Sequence, residues 1–188
     1  METSSMNATI QNIHDIYNQF GNNKYDELIS QNEHATQCAA LAKASGASPE
    51  LTIAALLHDI GHLLVLAQGN GVADLSVDDE HEALGARHLA THFPSGVTAP
   101  IALHVAAKRF LCTADDTYFD QLSIGSVRSL EKQGGVMTHQ EVMRFERSPH
   151  FSSAVELRRW DEAAKDEHIV VDPFDSYLEM MESIITSR

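Results

Sequence analysis

Between Thr52 and Ala67 the chain is almost wholly apolar, yet the middle of that stretch reads His58-Asp59-Ile60-Gly61-His62. Membrane hydrocarbon would reject a carboxylate flanked by imidazoles, and a protein core accepts one only where another charge balances it. The stretch therefore predicts a buried helix with polar chemistry inside it. On one continuous helix His58 and His62 share a face, while Asp59 lies about 100° round from His58, so a metal beside the helix could take His58 and Asp59 together. The competing reading is a hydrogen-bonded core network with no metal.

Apolar residues elsewhere recur at helical spacing, and no alternating, β-branched run bounded by hairpin turns occurs. The fold class expected is all-α, a helical bundle around a buried dinuclear site. Helices are predicted over 10–20, 29–45, 49–67, 79–93, 99–110, 125–133, 138–145, 152–165 and 175–185. Ser48 ahead of Pro49 reads as a cap before a first-turn proline, and Thr138 with Glu141 as a capping box. Gly46, Gly69 with Gly71, and Gly134 with Gly135 read as stops or turns. Segments 21–24 and 111–124 are the least regular and are candidates for mobile cover over a site.

The length, 188 residues, suits one domain across 1–188 with a core at about 29–165. No repeat or linker divides it. Acidic residues outnumber basic ones 27 to 13, and the net charge of −14 disfavours nucleic acid and anionic membrane surfaces as partners. An anionic substrate would need local positive charge. Cys38 and Cys112 lie in apolar, helix-like surroundings and read as reduced thiols. With no basic-then-apolar leader at the N-terminus, a cytoplasmic location is expected.

A His-Asp pair needs further ligands from other helices. His34 stands on an earlier helix and Asp161 on a late amphipathic one, completing a four-ligand set. His81 and His104 sit on apolar-faced helices and could complete a second; Gly85 and Ala86, one turn after His81, leave room for close backbone packing. His88 and His92 compete with His81 on the same helix, and His81 is preferred. His14, His139, His150 and His168 read as surface histidines.

Together, His34, the His58-Asp59 pair and Asp161 match the H…HD…D signature of the His-Asp (HD) superfamily. With His81 and His104 added, the chain resembles the six-ligand branch, which holds both diiron oxygenases and hydrolytic phosphodiesterases. HVAAKRFL from His104, AVELRRWDEAAK from Ala154, and the intervening QGGVM and FERSP look like the diiron oxygenases that cleave 2-amino-1-hydroxyethylphosphonate. The resemblance spans roughly 34–165.

The resemblance implies a mixed-valent Fe(II)/Fe(III) pair, with O2 as co-substrate, that breaks the carbon–phosphorus bond of (R)-2-amino-1-hydroxyethylphosphonate to give glycine and phosphate. It implies that Asp59 bridges the metals. It implies too that a tyrosine and a glutamate cover them from the N-terminal side, where Tyr25 and Glu27 are the available pair in a lid segment over about 20–28. Glu27 would accept from the substrate amine, and Tyr25 would hold an open position on the His34 iron until substrate binds. With one lid tyrosine beside a glutamate, a primary amine is expected over a trimethylated one, which would favour an aromatic cage.

Helical spacing supplies the expected phosphonate donors. Lys108 follows His104 by one turn, Arg158 precedes Asp161 by three residues, and His62 relates to His58 in the same way. Ser126, at the expected start of a helix after Gly125, would add a hydroxyl or backbone N–H groups. Residues alone fit a metal-dependent phosphohydrolase equally well, and a silent ligand-sensing module is a further alternative. The oxygenase reading rests on the resemblance.

Overall fold

The computed structural model describes residues 6–24, 28–72, 74 and 78–185. Ten α-helices are described: α1 Ala8–Phe20, α2 Gln31–Ala44, α3 Pro49–Leu57, α4 Ile60–Gln68, α5 His81–Leu89, α6 Ser95–Ala114, α7 Ile124–Lys132, α8 His139–Phe145, α9 Phe151–Ala163 and α10 Leu178–Ile184. Short 3-10 turns cover Phe119–Gln121 and Phe174–Tyr177. No strand occurs among the described residues, so the all-α expectation holds.

Helix α3 is the hub. Every side chain from Leu51 to Leu57 is buried, with α2, α6, α9 and α10 packed around it. Burying each large aliphatic side chain contributes about 1.5–3 kcal/mol, so the face-independent apolarity of this helix is what draws the others round it. A second, smaller cluster joins α6, α8 and α9, where Phe110, Phe145 and Phe151 meet with ring centroids 5.0–5.5 Å apart. The stretch Pro49–Gln68 is long and apolar enough to cross a membrane by length and composition alone, but 67% of its most apolar window is buried in the fold.

The expected single helix over 49–67 is broken. It stops after Leu57 and resumes at Ile60, because Asp59 leaves the helical region with φ −99° and ψ 10°. Aspartate at a helix start ordinarily caps it. Here the side chain makes no cap hydrogen bond and turns to the imidazoles instead. The face-sharing argument for His58 and His62 on one continuous helix is thereby overturned.

Other boundaries move for local reasons. Helix α6 begins at Ser95 and runs to Ala114, since Pro100 costs an early turn only one hydrogen bond and does not end the helix. Segment 111–124 is accordingly part helix, and buried Tyr118 anchors the non-helical part of it. Helix α5 starts at His81, leaving Asp79 ahead of it. The caps at Ser48 and Thr138 form as expected, and Ser30 with Glu33 makes a further capping box.

Two glycines let α4 and α5 touch. A Cβ at Gly61 would lie 2.0 Å from the His81 carbonyl oxygen, and one at Gly85 would meet Ile60 at 3.1 Å and the Gly61 nitrogen at 3.2 Å. This contact sets His81 beside the His58-Asp59 break.

Candidate metal centre

His34 on α2, His81 on α5, His104 on α6 and Asp161 on α9 converge with His58 and Asp59 at the break between α3 and α4. His34, His58 and Asp161 form one buried group, and Asp59, His81 and His104 a second, each with ligand atoms within 4.8 Å of one another. Asp59 faces both. Its Oδ2 lies 3.4 Å from His58 Nε2 and 3.6 Å from His34 Nε2, while its Oδ1 lies 3.6 Å from both His81 Nε2 and His104 Nε2. One carboxylate oxygen per group is what a bridging ligand requires.

The imidazoles are preset. His34 Nδ1 donates to the Ala164 carbonyl at 2.8 Å, His58 Nδ1 to Ala55 at 2.9 Å, and His104 Nδ1 to Ile101 at 2.8 Å. His81 Nδ1 donates to Asp79 at 3.0 Å. With those protons on Nδ1, each neutral ring presents a lone pair at Nε2. His34 and His58 then face each other at 3.3 Å between Nε2 atoms, and His81 and His104 at 3.1 Å. Lone pairs so close in a buried site repel unless a cation lies among them, so the donor set fits a metal in each group.

Electrostatics agree. Burial opposes a charge on His58, yet Asp59 and Asp161 raise its pKa to about 9. Burial likewise opposes an ionised Asp161, but the Arg158 guanidinium beside it holds its pKa well below the usual carboxylate range. The site calls for positive charge.

Next to both groups opens a cavity of about 110 Å³. Lys108, Arg158, Ser126 and His62 all line it. Lys108 and Arg158 are buried, at 3% and 4% exposure. Arg158 donates to the Tyr118 hydroxyl and Ser126 Oγ, and pairs with Asp161 and Glu162. Ser126 departs from expectation in one respect: α7 starts two residues earlier, capped by Ser123, and the Ser126 N–H is bonded to Ser123 Oγ at 3.1 Å. Its hydroxyl accepts from Arg158 and Lys165, which also line the cavity, and donates to Glu162. Tyr25 and Glu27 lie outside the described residues.

Several participants escaped the sequence reading. Asp79 holds His62 and His81, and burial, which would raise its pKa, is outweighed by hydrogen bonds from those two rings, which lower it. Glu162 accepts from Ser126 Oγ, Lys165 and Arg158, and Ser129 accepts from Lys108. Helical spacing could have flagged Glu162 four residues after Arg158 and Ser129 three after Ser126. His88 and His92 do not reach the centre and line a shallow groove against α1, so His81 is the histidine of its helix that joins the other candidate ligands.

Helices throughout the described residues, with two facing His/Asp groups that share one aspartate beside a cavity lined by Lys108 and Arg158, define the class: a helical protein whose side chains could hold metal. No protein-family model matches the chain. It is 44% identical over 176 residues, 94% of its length and 88% of the relative's, to hydroxymethylphosphonate dioxygenase of Gimesia maris. It is 40% identical over 151 residues, 80% of its length and 76% of the relative's, to 1-hydroxy-2-(trimethylamino)ethylphosphonate dioxygenase (glycine-betaine-forming) of Leisingera caerulea. An uncharacterized protein of Acanthamoeba polyphaga mimivirus is 33% identical over 184 residues, 95% of this chain and 84% of the relative. The chain belongs to the phosphonate dioxygenase family, as the resemblance in its motifs implies.

Proposed function

We propose that the protein is a diiron dioxygenase that cleaves the carbon–phosphorus bond of (R)-2-amino-1-hydroxyethylphosphonate with O2, giving glycine and phosphate. Substrate and O2 together contain the atoms of those two products, so no further reductant is needed. The observation that carries the reading is the cavity in which Lys108 and Arg158 stand beside both His/Asp groups. His34, His58 and Asp161 would hold one iron of the Fe(II)/Fe(III) pair and His81 and His104 the other, with Asp59 offering one carboxylate oxygen to each group. Bound iron supplies the electron chemistry with O2 that side chains lack.

The chain's own residues bind and orient. Lys108, Arg158, the Ser126 hydroxyl and His62 receive the phosphonate, offsetting the unfavourable field of a chain with net charge −14. Glu27 and Tyr25, which the family resemblance implicates in amine recognition, lie outside the described residues.

A second reading is hydroxymethylphosphonate, cleaved by the same chemistry to formate and phosphate. The 44% identity to the Gimesia maris enzyme and the modest cavity favour it. Iron-loaded protein assayed for O2 uptake and phosphate release with the amino, trimethylamino and hydroxymethyl substrates separates these. The first reading expects the highest kcat/KM with the primary amine, and a loss in Glu27→Ala confined mainly to that substrate. A higher kcat/KM with hydroxymethylphosphonate selects the second. Phosphate release that persists without O2 overturns both in favour of a phosphohydrolase.

A further inference from the structure

Asp79 is none of the six candidate ligands, yet it holds one of them and a cavity residue at once. Its Oδ2 accepts from His62 Nδ1 at 2.6 Å, and its Oδ1 from His81 Nδ1 at 3.0 Å and the His81 backbone N–H at 3.3 Å. The two rings stack with centroids 3.8 Å apart. A carboxylate offers only lone pairs, so both Nδ1 atoms carry protons. On His81 this leaves the Nε2 lone pair for the group it shares with Asp59 and His104. On His62, which lines the cavity, it puts the lone pair on Nε2. The backbone bends to permit this: Glu80, between Asp79 and His81, adopts a left-handed conformation with φ 48°, which costs energy in any residue but glycine.

We propose that Asp79 is a positioning residue with two dependants, orienting His81 for the metal and fixing the tautomer of His62 for the substrate. This rests on the dinuclear reading of the centre. Oxygenase turnover alone would not isolate it, so iron content is measured beside kinetics.

Asp79→Ala is expected to retain about one iron per chain in place of two, since removing a carboxylate behind a ligand histidine typically weakens metal affinity roughly 10–100-fold. In Asp79→Asn a metal on His81 keeps that ring's proton at Nδ1, so the amide oxygen turns to His81 and both irons stay. The amide NH2 then faces His62 and drives it to the opposite tautomer, lowering kcat/KM about tenfold or more. In a His62→Ala background the Asn change adds no further loss, because its effect runs through His62. Asp79→Ala protein with two irons at wild-type affinity would overturn the proposal, as would an Asn effect that persists in full without His62. Failure of the dinuclear reading shows separately, as wild-type protein that takes up fewer than two irons, and takes the proposal down with it.

Discussion

The Lys108 ammonium donates to Ser129 Oγ at 2.6 Å, tying α6 to α7 at the cavity wall. Burial, reinforced by the nearby Arg158 charge, lowers the Lys108 pKa to about 7. The lysine is therefore a full cation only below neutrality and loses its charge as pH rises through that value. KM for a phosphonate is expected to climb as pH increases above about 7, and Lys108→Arg, which stays charged throughout, should flatten that rise even if its own KM is higher. Steady-state kinetics across the neutral range read this out; a wild-type KM that does not change there would remove Lys108 from anion binding.

Asp59 offers one oxygen to each histidine group. On the diiron reading proposed above, Asp59→Ala should therefore lose both irons, whereas Asp161→Ala should lose chiefly the one at the His34 and His58 group. Iron analysis of the two purified variants tests the asymmetry. An Asp59→Ala protein that still carries two irons per chain would end its assignment as a bridge.

The start of α8 is acid-sensitive. Glu141 closes the capping box with Thr138 and pairs with Arg109 at 2.8 Å, and those hydrogen bonds lower its pKa to about 2. A lowered carboxylate pKa contributes stability that is complete above its ordinary value and fades as pH falls toward the folded one, here between about 4.5 and 2. Thr138→Ala should cost about 0.5–2 kcal/mol at neutral pH, measured as a shift of the urea midpoint. Glu141→Gln should remove this local acid dependence, and an unchanged pH profile between wild type and Glu141→Gln would contradict it.

Much of the centre was legible in the chain because the chemistry is concentrated in residue types that cores ordinarily exclude. His34, His58, Asp59, His81, His104 and Asp161 do converge, and Lys108 and Arg158 do line the same cavity. Gly85, read as allowing a close helix approach, makes that approach against Gly61. The break at Asp59 was not legible. No glycine or proline marks it, and it arises because the aspartate side chain turns to four imidazoles contributed largely by distant helices. Asp79 escaped for a related reason, since it holds His62 from 17 residues away, whereas Glu162 stands one helical turn after Arg158 and was within reach of the spacing argument. Ser126 was misplaced in its helix because Gly125 suggested a start that Ser123 in fact caps.

Gly61 also works as a spacer gauge. Between α4 and the first residue of α5 there is width for a hydrogen atom and none for a methyl group, since the added carbon would overlap the His81 carbonyl. Any other amino acid at 61 would wedge the two helices apart and carry His81 away from Asp59. The distance between Asp59 and His81 is thus tuned by the thinnest point of the backbone, at a residue with no side chain of its own to offer the centre.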